Sequence, residues 1–141
     1  MRSVGSLVVV AAAILAVSGC SASPSVGAHK AFHLDKHCAP TGCTVATSNL
    51  DVIPVGTVIT YTQIGDGSTK QQNATFTTKD GSASGFCDFN HDGKPLAAQC
   101  TFLSGTGALK GFHLVADVTL TGDGLTPDSV WHWDGTYWFG D

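Results

Sequence analysis

The sequence holds no Glu, and its single Arg is Arg2, so all eleven acidic residues are Asp and the other cations are six Lys. Charged residues make up only 13% of the 141-residue chain, the net charge is -4, and the Lys are scattered singly from Lys30 to Lys110. A nucleic-acid partner is disfavoured, because neutralising phosphates needs clustered Lys and Arg. No apolar run reaches the roughly 20 residues of a membrane-spanning helix; Leu7 to Val17 is an unbroken apolar run of eleven. A Gly-x-Ser-x-Gly elbow is missing, as are the paired short Cys clusters of zinc sites, and neither a metal nor a cofactor is expected. What is present is a chain with a 43% hydrophobic fraction, too apolar for disorder and of a length that favours one domain.

Arg2, the apolar run and Val17-Ser18-Gly19-Cys20 form a three-region secretory signal. Its last four residues resemble the bacterial lipobox, in which small residues precede a Cys that is lipidated on sulfur and becomes the new N-terminus. The chemistry needs a thiol at that one position, and the small Ser18 and Gly19 let a peptidase reach the bond before it. The competing reading is an ordinary signal with a chance Cys. Acyl chains on Cys20 would bury methylenes at about 0.8 kcal/mol each. The expected partner is therefore the lipid bilayer, and the expected location is the extracytoplasmic face of the cell membrane. Ser21 to Ala28 is small, polar and aperiodic, as a flexible tether would be. The expected organisation is a signal peptide over 1–19, a lipidated tether with a short Cys38 to Cys43 turn over 20–43, and a β-barrel domain over 44–141.

Four Cys remain after Cys20, and an even number in an exported chain implies disulfides. Of the three possible connectivities, Cys38 with Cys43 and Cys87 with Cys100 is favoured. The first pair encloses the turn residues Ala39-Pro40-Thr41-Gly42. The second flanks a hairpin whose loop Asp92-Gly93-Lys94-Pro95 would set the two Cys directly opposite, a separation that a disulfide tolerates.

Beyond Thr44 the chain is rich in Thr, Val, Phe, Tyr and Trp, and Gly or Asp-Gly punctuates it every ten residues or so, which is an all-antiparallel pattern. Strands are expected near 45–52, 56–64, 71–78, 82–89, 97–104, 110–120 and 129–139. Turns are expected at Gly65-Asp66-Gly67, Asp80-Gly81, Asp92-Gly93, Gly105-Thr106-Gly107 and Gly122-Asp123-Gly124. Helical signal is confined to Ala28 to His37. Seven strands leave an edge unless the sheet closes or an eighth precedes Cys38. In the last two strands, Phe112, Leu114, Ala116, Val118 and Leu120 form one apolar face, and Trp131, Trp133, Tyr137 and Phe139 form another. Pairing them across a loop from Thr121 to Asp128 sets Trp133 opposite Ala116, Trp131 opposite Val118, Tyr137 opposite Phe112 and His132 opposite Asp117.

Ser104-Gly-Thr-Gly-Ala-Leu-Lys-Gly111-Phe-His and Val130-Trp-His-Trp-Asp-Gly-Thr-Tyr137 resemble the C-terminal half of the allene oxide cyclase and dirigent-like barrel superfamily. In that group a Gly-Thr-Gly turn and a Gly several residues on open the penultimate strand. The resemblance covers about the last 40 residues, and the hairpin from Asp80 to Phe102 more loosely. It implies a small antiparallel barrel of eight strands with an interior cavity. In the plant members it also implies cyclisation of an unstable epoxide or stereochemical control of radical coupling. The acidic and Arg pocket residues of those enzymes have no counterpart in this sequence.

Trp131, Trp133, Tyr137 and Phe112 are the expected ligand-binding residues, since a barrel of about eight strands is either filled by side chains or wide enough for one small ligand. Asp117 and His132 are the catalytic candidates, a His base oriented by a carboxylate, set against an exposed cross-strand ion pair. Asp88, Asn90, Asp92 and Gly93 match the first half of a calcium loop, but Gln99 stands at the twelfth position and Pro95 interrupts. His29, His33 and His37 would line one face of a helix. Asn73-Ala74-Thr75 fits the glycosylation pattern and is set aside because a lipobox implies a bacterium. Three functions follow: a membrane-anchored module binding a small apolar or aromatic ligand, an isomerase or lyase of the kind the resemblance implies, or a structural or adhesive surface protein with a packed barrel. The lack of Arg, Glu and a spare thiol counts against an enzyme, while His132, Asp134 and Asp117 keep one open.

Overall fold

Alternation of inward apolar and outward polar side chains runs through eight segments of the computed structural model, which describes residues 27–40, 42–64, 70–89, 97–124, 126 and 128–140. These are β1 (Lys30–Ala39), β2 (Gly42–Ser48), β3 (Val58–Gln63), β4 (Gln71–Thr78), β5 (Gly81–Phe89), β6 (Ala98–Gly105), β7 (Phe112–Thr121) and β8 (Val130–Phe139). Each pairs antiparallel with its neighbour in sequence, and β1 pairs with β8 from Lys30 opposite Tyr137 to Lys36 opposite Trp131, so the barrel closes. Closure removes both sheet edges. The expected signal peptide, Cys20 and most of the expected tether lie outside the described residues, as do the turn expected at Gly65-Asp66-Gly67 and the loop expected from Asp92 to Pro95.

Inward positions supply the core: Phe32 and Leu34 from β1, Val45 from β2, Ile59 from β3, Phe76 from β4, Phe102 from β6, Phe112 and Leu114 from β7, and Trp133 from β8. Phe76 stacks on Phe102 at 4.5 Å between ring centroids, and Trp133 lies against both, at 5.6 and 6.2 Å. The middle of the barrel is therefore packed. The connections after β2 and β6 add Leu50, Ile53 and Leu109 to the same core at one end. Outward positions such as Thr47, Asn73, Thr75, Asp117 and Asp134 are polar, the opposite phase to a barrel that presents an apolar band to lipid.

Both expected disulfides are present, and each joins directly facing residues: Cys38 with Cys43 across β1 and β2, and Cys87 with Cys100 across β5 and β6. The second lies wholly inside the barrel.

Three expectations are corrected. The segment from Ala28 to His37 carries a strand, not a helix; it supplies the eighth strand, so the barrel begins at Lys30 and includes residues assigned to the tether. Its alternation, Phe32, Leu34 and Lys36 inward against His33, Asp35 and His37 outward, has a period of two, but a Lys in the apolar phase disguises it. The strand expected near 45–52 is β2, which starts and ends earlier and carries a bulge opposite Asp35 and Lys36. Finally, β7 and β8 pair two residues away from the expected register. Trp133 faces Val118, Tyr137 faces Leu114, Phe139 faces Phe112, Trp131 faces Leu120, and Ala116 faces Gly135.

A shift of two preserves the faces, so Trp131 and Trp133 still point inward. The register is set at Gly135 and in the loop. A Cβ on Gly135 would sit 2.0 Å from the Val115 carbonyl oxygen, so only glycine admits the approach of β7 to β8 there. The Asp123 carboxylate accepts hydrogen bonds from Thr126 N, Thr126 Oγ1 and Ser129 Oγ, and closes a loop flanked by the left-handed Gly122 and Gly124.

Candidate functional site

Lys36 is the inward residue of β1 beside the β2 bulge, and it is only 3% exposed. Its ammonium is surrounded by aromatic rings: Nζ lies 4.3 Å from the Tyr61 ring centroid, 5.3 Å from Trp133 and 5.5 Å from Trp131. It donates a hydrogen bond to the Tyr61 hydroxyl and approaches Cys43 Sγ at 3.5 Å. Among the described residues no carboxylate pairs with it. Ring faces attract a cation by about 0.5–2 kcal/mol each, whereas removing an unpaired ammonium from water costs several kcal/mol. Desolvation prevails and pushes the Lys36 amine down to about 7. Burial likewise drives the Tyr61 phenol far above its ordinary value, so the hydroxyl stays protonated.

The same end of the barrel holds two more polar groups with unmet demands. Trp131 Nε1 and Trp133 Nε1 are buried, and neither finds a hydrogen-bond partner among the described residues. At this end a recess of about 290 Å³ is lined by Ala39, Pro40, Gly42, Cys43, Thr60 and Tyr61, between the β1–β2 connection and β3. Two of its walls, Cys43 and Tyr61, are the groups Lys36 Nζ touches. Its size lies at the small end of ligand pockets, which begin near roughly 300 Å³.

No family model, curated protein or solved structure matches the chain.

The four expected ligand-binding residues divide between the two ends of the barrel. Trp131 and Trp133 flank Lys36, while Phe112 and Tyr137 join Phe32 and Phe139 in an aromatic cluster at the opposite end. The expected catalytic pair is not brought together. Asp117 faces Asp134 and accepts from Gln99 Nε2 at 3.3 Å, and His132 instead meets Asp35 of β1, with Nδ1 2.6 Å from Oδ1. Lys36 and Tyr61, which sequence reasoning missed, form the polar centre of this end of the barrel. A lysine occupying an inward position of an alternating strand is the signal that could have found the first.

On the outer surface β1, β8 and the end of β7 build a seam from Asp134 through His33 and Asp35 to His132 and Thr121. Among the described residues no group of His, Cys, Asp or Glu is arranged to hold a metal. His29, His33 and His37 are spent separately: His29 stacks on Trp138, His33 binds Asp134, and His37 Nδ1 lies 2.9 Å from the Ser129 carbonyl. Four residues along a strand separate side chains by about 13 Å, too far to share an ion. Of the calcium pattern, Asn90, Asp92 and Gly93 lie outside the described residues.

The hydrogen bond to Asp134, outweighing partial desolvation, raises the His33 pKa above its ordinary 6.5. The stabilisation this brings is present below pH 6.5 and disappears as pH rises through the raised value. Asp35 shows the opposite balance. Burial pulls it upward, but hydrogen bonds from His132 and Thr47 with the nearby imidazoles hold it below 3.8, so its contribution fades only in acid. In an NMR titration His33 should show a midpoint above 6.5, and Asp134→Asn should bring it back down. Because both side chains are largely exposed, the variant should cost no more than about 1 kcal/mol. An unmoved midpoint would remove Asp134 as the cause.

Proposed function

We propose that the chain is an exported lipoprotein, held on the outer face of a membrane through acylated Cys20, whose barrel binds a small apolar or aromatic molecule at the Lys36 end. The observation that carries the binding reading is the group of Lys36, Tyr61, Trp131 and Trp133, of which Tyr61 lines the recess. A barrel selected only for packing would favour apolar side chains there, because an unpaired buried N–H costs about 1–3 kcal/mol and an unpaired ammonium more. Here two indole N–H groups and an amine are kept inside together. Aromatic walls suit a planar or apolar body, and the donors suit one acceptor oxygen on it. The centre of the barrel, filled by Phe76, Phe102 and Trp133, is a packed core. A packed centre supports a ligand seat at the end of the barrel over one through its middle.

The resemblance of residues 104–113 and 130–137 to the allene oxide cyclase and dirigent-like group points in the same direction, since it implies a barrel with a small interior cavity. The anchor rests on the lipobox-like Val17-Ser18-Gly19-Cys20. Native mass spectrometry of the protein isolated from membranes tests both parts. The expected result is an acylated Cys20 and a co-purifying small molecule that is lost in Tyr61→Ala. Cys20→Ala should release the chain from the membrane or leave it unprocessed. A mature, membrane-bound Cys20→Ala protein would overturn the anchor, and the absence of bound mass together with no uptake of benzyl alcohol would overturn the binding.

A further inference from the structure

We infer that Lys36 is a nucleophilic amine that condenses with a small aromatic or apolar aldehyde to form an imine at this end of the barrel. The inference rests on the binding reading above and deepens it by naming the substrate class and the reacting atom. Three observations converge. Lys36 Nζ lies inside walls made by the Tyr61, Trp131 and Trp133 rings, which exclude water from a product that water would hydrolyse. Among the described residues no carboxylate holds the amine as a salt-bridged cation, the arrangement that would quench its lone pair. The Tyr61 hydroxyl, in direct hydrogen bond with Nζ, is placed to pass protons between nitrogen and a carbonyl oxygen, and Tyr61 is also one of the residues lining the recess through which a ligand would arrive. Desolvation among apolar groups is a recognised way of activating a lysine. About half of the Lys36 amines are neutral near pH 7, against roughly one in a thousand or fewer for an exposed lysine.

The step balances without an oxidant or reductant. The nitrogen lone pair attacks the carbonyl carbon, the C–N bond forms, and the π pair moves to oxygen. One N–H proton reaches that oxygen through Tyr61 Oη, giving a carbinolamine. The C–O bond then breaks, the second N–H proton leaves with the oxygen as water, and the imine remains. Amine and aldehyde give imine and one water.

Benzaldehyde with cyanoborohydride, applied to the full chain at pH 7 and followed by peptide mapping, is the test, with benzyl alcohol as a probe of the same shape that cannot form an imine. Lys36 should carry the benzyl group at least about tenfold more than any other lysine, as its larger neutral fraction requires. Benzyl alcohol should protect it. Tyr61→Phe should slow labelling by about tenfold or more, as loss of a proton relay does, while benzyl alcohol still quenches tryptophan fluorescence. Lys36→Met should lose that label alone, and the wild-type map decides the question even if this variant fails to fold. Labelling confined to the exposed lysines while benzyl alcohol still binds would overturn the imine and leave the binding site standing. Neither binding nor labelling would overturn both.

Discussion

Trp133→Ala is expected to lower the stability of the oxidised protein by about 3–5 kcal/mol, the usual cost of deleting a large buried aromatic side chain. Trp133 is fully buried at the centre of the barrel, against Phe76 and Phe102. Part of that cost is lost transfer free energy, and part is the cavity left behind. The cavity term should be large here. The strands are hydrogen-bonded on both sides around a closed circuit, and the Cys87 to Cys100 disulfide lies within the same interior, so the walls have little freedom to collapse inward. Trp138→Ala is the matching control. That ring lies on the outer face between His29 and His113, with ring centroids 4.2 and 5.1 Å away, and its loss should cost much less because no sealed cavity results. Denaturant unfolding at pH 7 with both disulfides intact measures the difference as a shift in midpoint at constant slope. A loss under about 1 kcal/mol for Trp133→Ala would mean that the centre is not packed and that a ligand could sit there.

The strand class, seven of the eight strands and both disulfides follow from features that repeat along the chain: period-two alternation, Gly and Asp-Gly turns, and paired Cys; the eighth strand and closure were implied only by the resemblance to the allene oxide cyclase and dirigent-like barrels. Features set by single residues are harder to read. The β7 and β8 register turns on Gly135, where two strands approach too closely for any side chain, and on the hydrogen bonds that Asp123 accepts within the loop. Matching large rings with small partners gave a neighbouring register, because sheet faces survive a shift of two and side-chain size alone does not separate the alternatives. The site was half legible. Trp131 and Trp133 stand out as an aromatic stripe, but Lys36 breaks the apolar phase of β1 and made that strand look like something else. Tyr61 is one Tyr among many strand residues until β3 brings it to Lys36. The pairing of His132 with Asp35 joins strands 97 positions apart in sequence, and no local pattern announces it.

Lys36→Met should stabilise the protein at neutral pH and flatten its dependence on pH above about 7. In the folded chain the Lys36 amine titrates near 7, whereas in the unfolded chain it titrates near 10.5. Between those values the unfolded state binds more protons, so stability should rise with pH, by up to about 1.4 kcal/mol per unit. Below about 7 both states are protonated, and the full cost of burying the ammonium is felt. The groups facing Nζ are Tyr61, Trp131, Trp133 and the disulfide sulfur of Cys43; of these only Tyr61 ionises, and burial keeps it protonated throughout. The slope is therefore assignable to the amine. Methionine keeps the length and flexibility of the side chain and removes the charge, and replacing a buried ion by an apolar group of similar volume is neutral or stabilising by about 1–4 kcal/mol. Urea titrations at pH 6, 7, 8 and 9 should show the native protein gaining stability relative to Lys36→Met from pH 7 to 9, the small loss from His33 being common to both. Equal slopes in the two proteins would place the titrating group elsewhere. A variant less stable than the native chain at pH 6 would show that the amine contributes more to the fold through the Tyr61 hydroxyl and the three ring faces than its desolvation costs.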